Sequence, residues 1–281
     1  MKRILLTGAG GQLGWELQQC CPADVELIAY TSQQLDICDR AAVLTQIKSV
    51  KPDVVINAAA YTAVDKAESD KERAFDVNAN GAENLALAVK EIGARMIQVS
   101  TDYVFDGSHS SPYLPGSLTL PLGVYGESKY QGEQRVQEQL PMDSVILRTS
   151  WVYSSHGHNF VKSMLRLMSE REELGIVADQ IGSPTYARTL AQAVWEFCDK
   201  PQLHGIYHWT DAGVASWYDF AVAIMEEAFE QGLLLKPVVI KPIRTEDYPT
   251  PARRPAYSVL DKTRSWGHLS VSPMHWRTAL K

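Results

Sequence analysis

An α/β fold built on a doubly wound parallel sheet is predicted by three observations. Short apolar runs recur through the first 150 residues, amphipathic stretches lie between them, and a glycine-rich turn closes the first run. Apolar runs of this kind read as strands buried on both faces. Strands that alternate with helices form parallel sheets covered on both sides.

The elements follow in order. Arg3–Leu6 is a strand that ends in the glycine turn, and Gly11–Cys20 is a helix with Leu13 and Leu17 on one face. Val25–Ala29 is the second strand. Ala41–Val50 is helical and Pro52 stops it. Asp53–Ala58 is the third strand. Ala74–Gly93 reads as one long helix ended by Gly93, and Arg95–Ser100 as the fourth strand. Tyr125–Gln139 is helical, and Ser144–Arg148 is the fifth strand. After Trp151 the alternation weakens. Phe160–Arg171, Thr185–Cys198 and Trp217–Gln231 read as helices. Pro237, Pro242, Pro249, Pro251 and Pro255 make 236–255 a proline-punctuated loop with short extended pieces. The change near residue 150 divides the chain into a dinucleotide-binding part, 1–150, and a smaller α/β substrate-binding region, 151–281.

Bulk properties exclude several classes. A net charge of −6 argues against a nucleic-acid surface or a polybasic membrane anchor. No apolar run reaches the ~18 residues of a membrane helix. Lys2-Arg3 precedes apolar Ile4-Leu5-Leu6, but Thr7-Gly8 ends that run too soon for a signal peptide. Cys20, Cys21, Cys38 and Cys198 contain no C-x-x-C pair and read as reduced thiols. A soluble, cytoplasmic protein is expected.

The glycine turn, Gly8-Ala9-Gly10-Gly11-Gln12-Leu13-Gly14, lies between a strand and a helix, which is the context of a Rossmann-type dinucleotide site. Gly8 permits the tight turn, Gly11 lets the backbone approach a pyrophosphate, and Gly14 allows close helix packing. The helix N-terminus, with Gln12 and Leu13, offers free N–H groups to phosphates. The second strand ends in Tyr30-Thr31-Ser32, with neither the acid typical of NAD enzymes nor the arginine typical of NADP enzymes, so NADPH and NADH both remain open. Asp36 and Ile37 flank the adenine or cap a helix. Small residues at Ala58, Ala59 and Ala60 leave room for ribose or pyrophosphate, or simply pack tightly; Thr62 follows them.

Ser100-Thr101-Asp102-Tyr103 begins at the carboxyl end of the fourth strand, where such sheets bind ligands. A hydroxyl there suits a substrate carbonyl; Asp102 also suits a local turn. Tyr125 and Lys129 are four residues apart and share a helix face. A free phenol, with a pKa of about 10, is a poor acid at neutral pH, and a nearby ammonium lowers that value. A surface pair is the plain alternative, but the order glycine turn, hydroxyl, Tyr-x-x-x-Lys points to carbonyl reduction with Tyr125 as proton donor.

These features resemble the extended short-chain dehydrogenase/reductases, and more closely the dTDP-4-dehydrorhamnose reductases, over nearly the whole chain. The matching stretches are 7–14, 57–68, 100–105, 125–129, Arg-Thr-Ser-Trp-Val-Tyr at 148–153, Asp-Gln-x-Gly-x-Pro-Thr at 179–185 and Arg-Pro-x-x-Ser at 254–258. The resemblance implies reduction of the 4-keto group of a dTDP-6-deoxyhexulose to dTDP-L-rhamnose with NADPH or NADH. It implies that Thr101 orients the keto oxygen and that Lys129 is the partner of Tyr125 and a ribose anchor. Asp102, Tyr103, Trp151, Asn159, Gln180 and Arg254 are implied to line the nucleotide-sugar site. A core tryptophan and a surface arginine are the plain alternatives for Trp151 and Arg254. Some members form homodimers bridged by Mg²⁺ through acidic residues. Glu16 matches one such position but a convincing set is missing, so no metal is expected. Two rival readings remain: a dehydratase or epimerase of the same fold, and a non-catalytic regulatory subunit. Dehydratases carry Thr-Asp-Glu where this chain has Thr101-Asp102-Tyr103, which counts for reduction.

Overall fold

The computed structural model describes all 281 residues. Six parallel strands form its central sheet, in the order β2-β1-β3-β4-β5 followed by a sixth strand. They are β1 (Lys2–Thr7), β2 (Val25–Tyr30), β3 (Val54–Asn57), β4 (Arg95–Thr101), β5 (Ser144–Thr149) and the sixth, Gly205–His208. The strand order reverses at β1, whose neighbours are β2 on one side and β3 on the other. Open sheets of this kind bind ligands beyond the carboxyl ends of the strands at such a switch point.

The strand period of two decides what covers each face. Ile4, Leu6, Val54, Ile56, Val145 and Leu147 point to one side, where they pack on Leu13 and Leu17 of the Gln12–Gln19 helix and on Leu190, Val194 and Phe197 of the Ala187–Asp199 helix. Leu5, Val55, Met96 and Ile146 point to the other. There they meet Val43 and Ile47 of the Arg40–Val50 helix and Leu85 and Val89 of the Gly81–Ile92 helix. Both faces are therefore dry, which explains why the strands read as continuous apolar runs. A separate core, with Met164, Phe220, Ile224, Leu234 and Trp276, holds the smaller region together.

Two local readings change. Residues after 150 return to the main sheet: they supply its sixth strand and the Ala187–Asp199 helix on one face, because β5 still has an open edge to pair. The single helix expected over 74–93 begins at Lys71 and contains a five-residue π turn, Asp76–Asn80. Within it the Asn78 side chain accepts from Tyr61 N and donates to the Tyr61 carbonyl and the Ser128 hydroxyl. π turns of this kind are frequent beside functional sites. The proline-rich stretch holds a short extended piece, as expected: Val239–Ile243 is a strand, paired in parallel with Glu173–Val177. Pro242 is tolerated because this two-stranded ribbon has only edges.

Candidate active site

The cofactor end is shaped by backbone. Gly8 has φ +76, and a Cβ there would lie 2.5 Å from the backbone of Ala58 and Ala59. A Cβ on Gly14 would lie 2.2 Å from the Gly8 carbonyl oxygen. Both positions therefore exclude any side chain. The Gln12–Gln19 helix starts at Gly11 with no side-chain cap and no acidic residue in its first turn. Its unpaired N–H groups and the positive end of its dipole face an open groove of about 1010 Å³. Gly8, Gly11, Gln12 and Leu13 line that groove, as do Ala58, Ala59, Ala60 and Thr62 from the β3 side. A buried chain of hydrogen bonds sets this end of the sheet. Thr7 Oγ1 donates to Asn57 Oδ1 (2.7 Å), and Asn57 Nδ2 donates to Gln98 Oε1 (2.8 Å). Such a cradle, dinucleotide-sized and with N–H groups aimed at one end, fits a nicotinamide dinucleotide.

At the far end Asp36 and Ile37 also line the groove. Asp36 caps no helix, since Asp39 caps the Arg40–Val50 helix; its Oδ1 accepts from Cys38 N at 3.0 Å in a local turn, which holds its carboxyl below the usual range. Arg73, 3.7 Å from Asp36, and Thr31, Ser32 and Gln33 join it there.

Thr101, Tyr125 and Lys129 meet on the groove's inner wall, the first at the end of β4, the others on the Val124–Gln139 helix. Thr101 Oγ1 accepts from Tyr103 N (3.2 Å) and donates to Asp102 Oδ1 (3.1 Å). Lys129 is 4% exposed and donates from Nζ to the Val99 carbonyl at 2.7 Å. The acidified phenol expected from the pair is not what the fold produces. Burial dominates both groups, pushing the Tyr125 phenol up to about 12 and the Lys129 ammonium down to about 8. Tyr125 therefore stands protonated at neutral pH, the state a proton donor requires. The neighbouring Thr101 hydroxyl holds its pKa back, while the Asp102 charge adds to the rise.

Beyond Tyr103 the groove continues into a small crevice lined by Asp102, Tyr103, Trp151, Gln180, Trp217 and Arg254. The Trp151 ring stacks on Trp217 at 3.5 Å between centroids and 6° between planes. Its backbone is left-handed at φ +49, an uncommon conformation for a bulky residue and one that clusters at ligand sites. Gly182 makes room behind it, since a Cβ there would lie 2.5 Å from the indole. Gln180 accepts from Trp217 Nε1 (3.2 Å) and donates to Thr245 Oγ1 (3.1 Å). Arg254 forms a two-pronged pair with Asp65, at 2.8 and 3.1 Å. Buried Asp102, with Oδ2 lacking any partner, has its carboxyl pushed up to about 6 by desolvation.

The chain matches the model of the RmlD substrate binding domain over residues 1–281. It belongs to that family. It is 45% identical to the dTDP-4-dehydrorhamnose reductase of Aggregatibacter actinomycetemcomitans, covering 100% of this chain and 98% of that one. It is 43% identical to the spore coat polysaccharide biosynthesis protein SpsK of Bacillus subtilis (strain 168), with 100% and 96% covered. Its fold superposes with a TM-score of 0.94 on the crystal structure of the Bacillus anthracis str. Ames dTDP-4-dehydrorhamnose reductase in complex with NADP. That pair shares 38% identity, with coverage of 100% and 98%.

Two residues named from the family's motifs stand away from the walls. Gly14 acts through packing alone. Asn159 caps the Phe160–Glu170 helix by accepting from Lys162 N (3.1 Å) and donates to Gln12 Oε1 at 2.9 Å, so it braces the glycine turn from behind. Lining groups that sequence patterns did not indicate include Trp217, Arg73 and His158. Trp217 opens an amphipathic helix, and a helix-period pattern makes any aromatic there look like core. Arg73 and His158 carry no motif. No group of three or more His, Cys, Asp or Glu side chains is placed to hold a metal ion.

Proposed function

We propose that this protein reduces the 4-keto group of dTDP-4-dehydro-L-rhamnose to dTDP-L-rhamnose with NADPH or NADH, in the synthesis of cell-surface polysaccharide. The observation that carries the reading is the convergence of Thr101, Tyr125 and Lys129 on one groove, between a phosphate cradle and an aromatic crevice. The nicotinamide supplies a hydride when bound. The chain's own groups do the rest. The Gly8–Gly14 turn and the Gln12 helix terminus take the pyrophosphate. Lys129 anchors the ribose and places positive charge beneath the phenol. Thr101 orients the keto oxygen and Tyr125 passes its proton there as the alkoxide forms. Trp151 and Trp217 provide apolar faces for sugar or base, Gln180 offers its amide, and Arg254 meets the diphosphate.

Tyr103 favours simple reduction over elimination. Its phenol is pushed well above the ordinary value by burial, so it supplies no carboxylate-like base. The remaining carboxyl, Asp102, has one oxygen tied to Thr101. In this reading residues 1–150 serve mainly the cofactor and 151–281 mainly the nucleotide sugar. No helix is long and apolar enough to cross a membrane. A cytoplasmic enzyme, with a homodimer as its assembly, belongs to the same proposal. Consumption of NADPH and of NADH by the purified protein with dTDP-4-keto-6-deoxyhexose tests it. Turnover to dTDP-rhamnose is expected; cofactor binding without turnover would favour a regulatory subunit and sink the reductase reading.

A further inference from the structure

The chemistry above leaves one buried charge pair unused. Tyr125, Lys129 and Glu133 recur at four-residue intervals and so share one face of the Val124–Gln139 helix. Glu133 and Arg148 are each 1% exposed. Arg148 donates from Nε to both carboxylate oxygens (2.9 and 3.2 Å) and from Nη2 to Oε2 at 2.6 Å. Its guanidinium lies 5.1 Å from the Phe105 ring centroid, and Nη1 donates to the Pro115 carbonyl at 3.3 Å. In register, Arg148 sits opposite Ser100, and the next pair along the two strands is Thr101 with Thr149. The ion pair thus fastens the helix to the sheet one residue from the catalytic threonine and one helical turn from Lys129.

A buried ion pair is weak evidence for stability, because apolar residues of similar volume often serve as well. Charge at this place asks for another reason. The titratable and charged groups around Lys129 are Tyr125 and Glu133 on its own helix, Asp102 and Tyr103 after β4, and Arg148 from β5. Glu68 meets the helix at Val124 N, and Asp76 in the π turn is engaged by Asn80. Among them Glu133 is the group whose charge supports the ammonium against desolvation. We propose that Glu133, held by Arg148, is a positioning residue for the reaction: it supplies the negative charge that buried Lys129 faces and fixes Tyr125 and Lys129 against Thr101. Arg148 grips the carboxylate from the sheet side, and of the two it is Glu133 whose charge acts on the ammonium.

The inference rests on Lys129 acting as the cation beneath Tyr125. The test is therefore made in three variants, each read by urea unfolding, NADPH affinity and the pH dependence of kcat/KM. Glu133→Gln leaves Arg148 buried and unpaired and tests folding as well as charge. The double variant Glu133→Gln with Arg148→Met removes both charges and keeps the volume. Folded near the wild-type midpoint, it is expected to lose about tenfold in kcat. Its alkaline limb should move about half a pH unit or more to lower pH, because an ammonium without its anion loses its proton earlier. Lys129→Met should be nearly inactive. A double variant with the wild-type rate and pH profile overturns the inference alone. Full activity in Lys129→Met overturns the catalytic reading on which it stands.

Discussion

Among single residues, the proposed reaction gives the chemistry to Tyr125 and Thr101. Tyr125→Phe keeps the ring, the edge contact with Tyr103 at 5.4 Å and the fold, but removes the proton. Its kcat should fall about 10²- to 10⁴-fold, the usual worth of a positioned proton donor, with NADPH affinity little changed. A kcat within a few-fold of wild type would remove Tyr125 from that role. Arg254 is the corresponding test on the sugar-nucleotide side. It is partly buried and already oriented by Asp65, whose carboxyl the pairing holds below its usual range. Arg254→Ala should raise KM for the nucleotide sugar by roughly tenfold or more, the scale of a charge-assisted bond, while kcat changes less. An unchanged KM would place Arg254 outside the bound diphosphate.

At the scale of elements, the Val124–Gln139 helix is the part that must not shift. Two glycines let it lie directly on its neighbours. A Cβ on Gly126 would stand 2.2 Å from the Tyr103 carbonyl oxygen, and one on Gly132 would stand 2.1 Å from the Asn78 carbonyl oxygen. Both obstacles are backbone, so neither can turn aside. Gly132→Ala should push the helix away from the π turn, lowering stability by about 1–3 kcal/mol and turnover with it. Thermal unfolding and kcat measured on the same preparation check this; a variant with unchanged melting and unchanged rate would show that the helix has slack. The same glycines illustrate what was readable beforehand. Gly8 and Gly14 announced themselves through their strand–turn–helix setting. Gly126 and Gly132 sit inside a helix pattern, where a glycine has no local justification. Their reason is backbone distant in sequence, at Tyr103 for Gly126 and at Asn78 for Gly132.

For the whole molecule, buried titratable groups set the response to pH. His208 on the sixth strand is fully buried, with neither ring nitrogen bonded to another side chain or backbone group, and its pKa falls from the ordinary value to about 3. Desolvation is the main cause, and Arg148 adds to it. The unfolded chain takes up this proton below about pH 6.5, and the folded protein only near 3. His208 therefore supports stability above 6.5 and withdraws that support as pH falls toward 3. Asp102 and Asp211, raised to about 6, act in the opposite sense, because the folded protein binds their protons first as pH falls through 6. His208→Leu should weaken the loss of stability between pH 6.5 and 5. Urea midpoints for variant and wild type should diverge in the variant's favour as pH drops, and parallel curves would contradict the assignment.

The strands of the main sheet as far as β5, the glycine cradle, the family, and the candidacy of Thr101, Tyr125 and Lys129 for one site are legible in the chain itself. These are signals of short range: a strand period, a turn that only glycine can make, a four-residue helical spacing. The rest depends on contacts between segments distant in sequence. The sixth strand joined the sheet because β5 had a free edge, and a strand's partner is a matter of backbone pairing rather than composition. Trp217 came to stand against Trp151, and Arg148 against Glu133, through contacts that no local pattern encodes. The protonation of the trio was decided there too. Spacing suggested that Lys129 would acidify Tyr125, but both groups lie in a low-dielectric wall, and the cost of removing charge from water outweighs the attraction between neighbours.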